Sequence, residues 1–194
     1  MEDSTGYVSG VDYTVIQAEG EFSGVTINQD LPIPLEMIQE YMRIDDEAES
    51  HVISRLVESA LEEAEKFTSM AIRENLYQIF YDTYAKKIKL PVAPVQSIIK
   101  VYQITQSGKK ELIQDTDFYV TGVFDKYLNF VGNVNGSLEI VAKCGYSKIP
   151  ANLVTNILKI ATTNYENRED IILGTVQAKL DNSSKKSLAK YRRF

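Results

Sequence analysis

Asp45-Asp46-Glu47-Ala48-Glu49-Ser50-His51-Val52-Ile53-Ser54-Arg55-Leu56-Val57-Glu58-Ser59-Ala60-Leu61-Glu62-Glu63-Ala64-Glu65-Lys66-Phe67 carries the strongest periodic signal in the chain. Val52, Ile53, Leu56, Val57, Ala60, Leu61, Ala64 and Phe67 recur at helical spacing, while Glu58, Glu62, Glu63 and Lys66 lie mostly off that stripe. Such a pattern defines an amphipathic helix that buries one wide face. Asp46 as N-cap with Glu49 three residues on fits a capping box, and the acidic cluster suits the positive end of a helix dipole. These features predict a helix over 46–67.

On the N-terminal side, Leu31-Pro32-Ile33-Pro34 stops any earlier element, and Pro34 opens a short helix over about 35–42. Residues 1–30 are rich in Gly, Ser, Thr and acids, with short β-branched runs at Tyr13-Thr14-Val15-Ile16 and Val25-Thr26-Ile27. They read as an acidic arm, disordered or ordered only against a neighbour. On the C-terminal side the pattern turns to strands. Tyr77-Gln78-Ile79-Phe80-Tyr81, Ile88-Lys89-Leu90, Val95 to Ile104, Glu111-Leu112-Ile113, Phe118-Tyr119-Val120-Thr121, Tyr127-Leu128-Asn129-Phe130 and Leu138-Glu139-Ile140-Val141 follow at close spacing. Ser107-Gly108 and Gly132 to Gly136 supply turns, the second read as a hairpin between Phe130 and Leu138. After Pro150, Leu153, Val154, Ile157, Leu158, Ile160, Ala161 and Tyr165 predict a helix over 152–167. Residues 171–183 are loop-like, and Ser184 is placed to cap a last short helix.

The expected fold is therefore α+β: mainly a helical bundle with an inserted small antiparallel β-sheet over about 76–142, and extended N- and C-terminal arms. The expected divisions are an N-terminal arm (1–30), a core (31–170) and a basic C-terminal segment (171–194).

Charge is distributed unevenly. The 194 residues carry a net −6, yet residues 1–42 hold eight acids and no Lys or Arg, and residues 179–194 sum to +5. An acidic head and a basic tail on one chain suit head-to-tail or heterotypic contacts, because complementary fields steer encounters. The overall acidity disfavours a dedicated nucleic-acid binder. No stretch approaches the roughly 18 apolar residues of a membrane helix. The start Met1-Glu2-Asp3 lacks the basic and apolar runs of a secretory signal. The single cysteine, Cys144, is read as a partly buried thiol in a protein made in a reducing cytosol.

Chemistry-bearing patterns are sparse. His51 is the only histidine and reads as a helix-surface residue rather than a catalytic base. One Cys and one His do not make the usual zinc site. Asp45, Asp46, Glu47 and Glu49 lack the oxygen-ligand spacing and central glycine of an EF-hand, which favours capping over calcium. Asp115 and Asp117 sit between strands and read as turn residues. No glycine pattern matches a phosphate-binding loop. The twelve tyrosines and seven phenylalanines are assigned to core and half-buried sheet positions, because stacking platforms for single strands interleave aromatics with Lys and Arg. The expectation is a non-enzymatic protein without a cofactor or metal.

Four blocks, in order, resemble the phage head–tail connector (adaptor) family. Leu35-Glu36-Met37-Ile38-Gln39-Glu40-Tyr41-Met42-Arg43-Ile44-Asp45-Asp46-Glu47 is similar to that family's opening helix and its approach to a long acidic helix. Leu90-Pro91-Val92-Ala93-Pro94-Val95-Gln96-Ser97-Ile98 is similar to its Leu-Pro…Pro-Val…Ser-Ile strand start. Gly145-Tyr146 to Ile149-Pro150-Ala151-Asn152-Leu153, then Tyr165-Glu166-Asn167-Arg168-Glu169, is similar to a third signature. Leu188-Ala189-Lys190-Tyr191-Arg192-Arg193 resembles its closing motif. The resemblance spans about 31–194. Ser69 stands where the family often has glycine, and the acidic arm has no counterpart.

The resemblance implies a structural virion protein of the neck, between capsid and tail. It would be made in the host cytoplasm and assembled as a homo-oligomeric, dodecameric ring beneath the portal protein. Such a ring extends the DNA channel without sequence-specific binding or membrane contact, and offers a platform to a stopper, neck or tail-completion protein. By the same resemblance Tyr191, Arg192 and Arg193 are candidates for portal contact, with Lys185, Lys186 and Phe194 added by proximity. The competing readings are another neck component (a stopper or head-completion protein) and a small DNA-binding or packaging-associated module.

Overall fold

The computed structural model describes residues 11–16, 31–44, 47–133, 135–167 and 182–192. The chain divides into two compact units, one of sheets (within 1–27 and 74–146) and one of helices (within 28–73 and 147–193).

Eight strands make up the described part of the sheet unit: β1 (Val11–Ile16), β2 (Asn75–Tyr81), β3 (Lys87–Lys89), β4 (Val95–Thr105), β5 (Gly108–Leu112), β6 (Phe118–Thr121), β7 (Tyr127–Phe130) and β8 (Ser137–Cys144). They form two antiparallel sheets, a five-stranded one in the order β1-β2-β8-β4-β5 and a three-stranded one in the order β3-β7-β6. β8 is central, pairing Ile140 with Ile79 of β2 on one side and with Val101 of β4 on the other. Leu138, Ile140, Ala142 and Cys144 share one face of β8, and all four are fully buried. The opposite face holds Glu139, which is also buried. It is compensated by Gln78 Nε2 donating at 2.9 Å and by Lys109 Nζ at 2.8 Å, as a buried carboxylate requires. In the smaller sheet Ile88, Leu128, Phe118 and Phe130 form the buried face, with Tyr84 edge-on to Phe130 at 4.8 Å. Tyr81 is buried at the end of β2, and its hydroxyl donates to Lys89 O at 2.7 Å. Burial pushes that phenol well above its ordinary pKa.

The helical unit contains α1 (Leu35–Met42), α2 (Ser50–Thr68), α3 (Ala151–Glu166) and α4 (Asn182–Leu188) among its described residues. Ile53, Val57, Ala60, Leu61 and Ala64 are the buried stripe of α2. They face α3, whose buried positions are Leu153, Asn156, Ile157, Leu158, Ile160 and Ala161. Each fully buried Leu or Ile contributes about 1.5–3 kcal/mol to such packing. α2 ends at Ser69 in the left-handed region, φ 55 and ψ 38. Beyond it Glu65 clamps the returning chain, its Oε1 accepting from Ile72 N at 2.8 Å and Arg73 N at 2.9 Å. The Arg73 guanidinium reaches Oε2 at 3.3 Å. Tyr165 Oη donates to the Glu49 carboxylate, tying the end of α3 to the approach of α2.

Helices 35–42, 46–67 and 152–167 are found close to their expected bounds. α2 itself begins at Ser50, after one 3-10 turn over Glu47–Glu49. The capping residue proposed for it, Asp46, lies outside the described residues. Three expectations are corrected. The protein is not mainly a helical bundle with a small inserted sheet, because two sheets of eight strands form a unit with its own core. Residues 11–16, read as part of an arm, form an edge strand, with Val11 opposite Tyr81 and Ile16 opposite Leu76. The Gly132–Gly136 segment is not a hairpin, since β7 and β8 belong to different sheets and the segment crosses between them. Gly136 is still required there. At φ 79 an added Cβ would stand 2.2 Å from Ile104 O.

Candidate functional site

The C-terminal segment named from sequence is built on α4. A helix of seven residues does not hold itself in water, so its docking decides what it displays. Ser184 and Leu188, one helical turn apart, are buried. Asn156 Nδ2 donates to Ser187 Oγ at 2.8 Å and to Asn152 O at 2.6 Å, fixing α4 on α3. With that face inward, Lys185, Lys186 and Lys190 are left exposed. The chain continues through a 3-10 turn, Ala189–Tyr191. Arg192 then sets its guanidinium over the Phe67 ring of α2 at 5.7 Å, a cation–π contact. Of the six candidates, Lys185, Lys186, Tyr191 and Arg192 therefore lie on one short docked segment. Arg193 and Phe194 lie outside the described residues. Ser184, expected as an N-cap, is instead a buried position within α4.

His51 is exposed on the first turn of α2, and Cys144 is fully buried at the end of β8. Asp117 is a turn residue, its Oδ2 accepting from Ile113 N at 2.8 Å. Asp115 turns the chain at φ 67. Among the described residues no group of three His, Cys, Asp or Glu stands close enough to hold a metal ion.

Electrostatics in the sheet unit is organised by ion pairs. Glu74 contacts Lys143 and accepts from Gln96 Nε2 at 2.8 Å. Burial alone would raise the Glu74 pKa, but the hydrogen bonds from Lys143 and Gln96 and the Lys143 charge outweigh it and hold it below the ordinary carboxylate value. Tyr102 lies between two cations, with Lys109 4.0 Å and Lys100 5.8 Å from its ring centre.

Two apolar surfaces escaped the sequence reading. Val123, 95% exposed, and Phe124, 43% exposed, project from the β6–β7 turn. Met37 and Tyr41, about half exposed, form a stripe one turn apart on α1. The signal was present in the first case, since an apolar pair between Gly122 and Asp125 is unusual in a turn.

No protein-family model and no curated protein sequence matches the chain. Solved structures do share the fold. A chain of the neck of an empty GTA particle, computed with C6 symmetry, aligns over 88% of this chain and 96% of its own, with TM-score 0.68 and 14% identity. A chain from the virion of a native gene transfer agent (GTA) particle aligns over 84% of this chain and 90% of its own, with TM-score 0.67 and 16% identity. A chain of the neck of a native GTA particle, computed with C12 symmetry, aligns over 88% and 96%, with TM-score 0.62 and 16% identity. At such identities the likeness establishes the fold, including both its sheets and its helices.

Proposed function

We propose that this chain is a structural neck protein of a phage-like particle, and specifically the adaptor subunit that forms a ring beneath the portal. The observation that carries the proposal is the near end-to-end match to neck chains of a gene transfer agent, 96% of the length of two of them. The four sequence blocks that resemble head–tail adaptors point to the same place independently. The role needs no catalysis or cofactor. It needs compact, ordered units, and the chain has two, together with surfaces for partners.

In this reading one partner is the portal protein, contacted through the segment bearing Lys185, Lys186, Tyr191, Arg192, Arg193 and Phe194. The others are a stopper or tail-completion protein and further copies of the chain in a dodecameric ring. DNA passes through the channel, where the net negative charge repels phosphate and favours sliding over sticking. The location is the virion neck.

The test is co-sedimentation with the cognate portal, using the full chain and a chain truncated after Asp181. Portal-bound rings that vanish on truncation support both the adaptor role and the C-terminal contact. Binding that survives truncation keeps the role and moves the contact. Absence of portal binding, with salt-dependent binding to DNA instead, would favour a packaging-associated module.

A further inference from the structure

We propose that copies of this chain join head to tail through a knob and a helix face, Val123 and Phe124 of one copy seating against Met37 and Tyr41 of the next. The inference rests on the ring reading above and names the contact that would build the ring.

The knob is stiff. Gly122 turns the chain at φ 93, where an added Cβ would fall 1.9 Å from Asp125 O. Lys126 Nζ donates to Gly122 O at 2.9 Å, and Lys89 Nζ pairs with Asp125 Oδ2 at 3.1 Å. A turn held by these two contacts, yet displaying a 95% exposed Val and a 43% exposed Phe, orders its apolar groups without burying them. Adjacent apolar groups exposed in this way mark interaction sites. The acceptor is equally well held. α1 is anchored by fully buried Ile38, and its outer side carries Met37 and Tyr41.

Charge selects the pairing. Around the knob stand Lys87, over the Tyr127 ring at 4.8 Å, with Lys89 and Lys126, and the carboxylate of Asp125. Beside Met37 and Tyr41 on the exposed side of α1 stand Glu36 and Glu40, with Arg43 at the helix end as an opposing cation. A basic-rimmed apolar knob thus meets an acid-rimmed apolar stripe, as complementary interfaces require. Knob and stripe are different surfaces, so the contact is heterologous. Each copy gives one and receives the other, and such contacts form a ring when the rotation between copies closes.

The test mixes tagged chains carrying Met37→Cys with untagged chains carrying Val123→Cys under mild oxidation. The native Cys144 is fully buried and serves as the silent background. The expected result is a disulfide between tagged and untagged chains, lost when Phe124→Asp is added. Phe124→Asp alone should weaken self-association about tenfold or more, as loss of a central apolar anchor does, with an unchanged circular dichroism spectrum. Lys87→Glu or Glu40→Lys should each weaken association, and the two together should restore it. Oligomers that form without the mixed disulfide, and that tolerate Phe124→Asp, overturn this contact while leaving the ring reading standing. Monomers at every concentration, with no mixed disulfide, also overturn it. The portal co-sedimentation then decides the ring reading separately.

Discussion

Ser69 and Glu74 stand near the two ends of the link from α2 to β2, and each makes a measurable claim. Ser69 takes the left-handed conformation that closes α2, where a side chain carries a steric cost that glycine escapes. Ser69→Gly should therefore stabilise the protein by about 0.5–1 kcal/mol, after subtracting the greater freedom of glycine in the unfolded chain. The check is a higher urea midpoint at unchanged slope; a lower midpoint would mean that the Ser69 side chain matters more than its backbone strain. Glu74 makes a pH claim. Its folded pKa is depressed, with burial opposing and Lys143 and Gln96 winning. The stability it adds is thus fully present above the unfolded carboxylate value and disappears as pH falls through the lower folded value. Urea midpoints measured from neutral pH down into the acid range should show a decline in the wild type that is shallower in Glu74→Gln. Identical slopes would remove Glu74 from the acid sensitivity.

At the scale of elements, the least self-sufficient helix gives the sharpest expectation. α4 is too short to persist undocked, and its hold consists of Leu188, Ser184 and the Asn156–Ser187 hydrogen bond. Leu188→Ala should cost about 2–4 kcal/mol at that site and release 182–191 while α2 and α3 stay folded. Hydrogen exchange would show protection lost in α4 alone; loss spreading into α2 and α3 would mean that α4 is integral to the helical core. The same contrast between local and distant determinants explains what could be read from sequence. α1, α2 and α3 were legible because helical periodicity is written within one segment, as Ile53, Val57, Ala60 and Leu61 show. β6 and β7 were legible from their own strand formers. Sheet membership was not, because the partners of β8 are the sequence-distant β2 and β4, not the adjacent β7. β1 was missed for the same reason, since Tyr13-Thr14-Val15-Ile16 becomes a strand only against Leu76 to Ile79. Of the candidate site, Tyr191 and Arg192 were named through a motif, and Lys185 and Lys186 by proximity to it. The docking that exposes the lysines depends on Asn156, which no local pattern marks. The exposure of Val123 and of Met37 likewise depends on what the fold leaves uncovered.

The whole molecule is organised as one unit spliced into another, and this can be tested by removing the insert. The helical chain leaves at Arg73 and returns at Ser147. Immediately inside those points Asn75 and Cys144 are cross-strand partners, which places their Cα atoms about 4.5–5.5 Å apart. A gap that small is bridged by one or two residues, since consecutive Cα atoms lie about 3.8 Å apart. The helical unit therefore experiences its large insert as a short closed loop, a geometry in which insertion adds little strain. The buried residues of α2 face those of α3 within the same unit, and the Glu65 clamp on Ile72 and Arg73 lies wholly on the helical side. A chain of residues 28–73, two glycines and 145–194 should accordingly fold into a helical protein with a single cooperative transition and exchange protection across α2 and α3. Since it lacks Val123 and Phe124 but keeps α4 and Met37, it should also accept the knob of an intact copy while offering none, and so should cap growing oligomers and lower the yield of complete rings. A non-cooperative, weakly helical product would show that the helices depend on the sheets for their stability. A folded product that leaves ring yield unchanged would separate folding from assembly and place the subunit contact elsewhere.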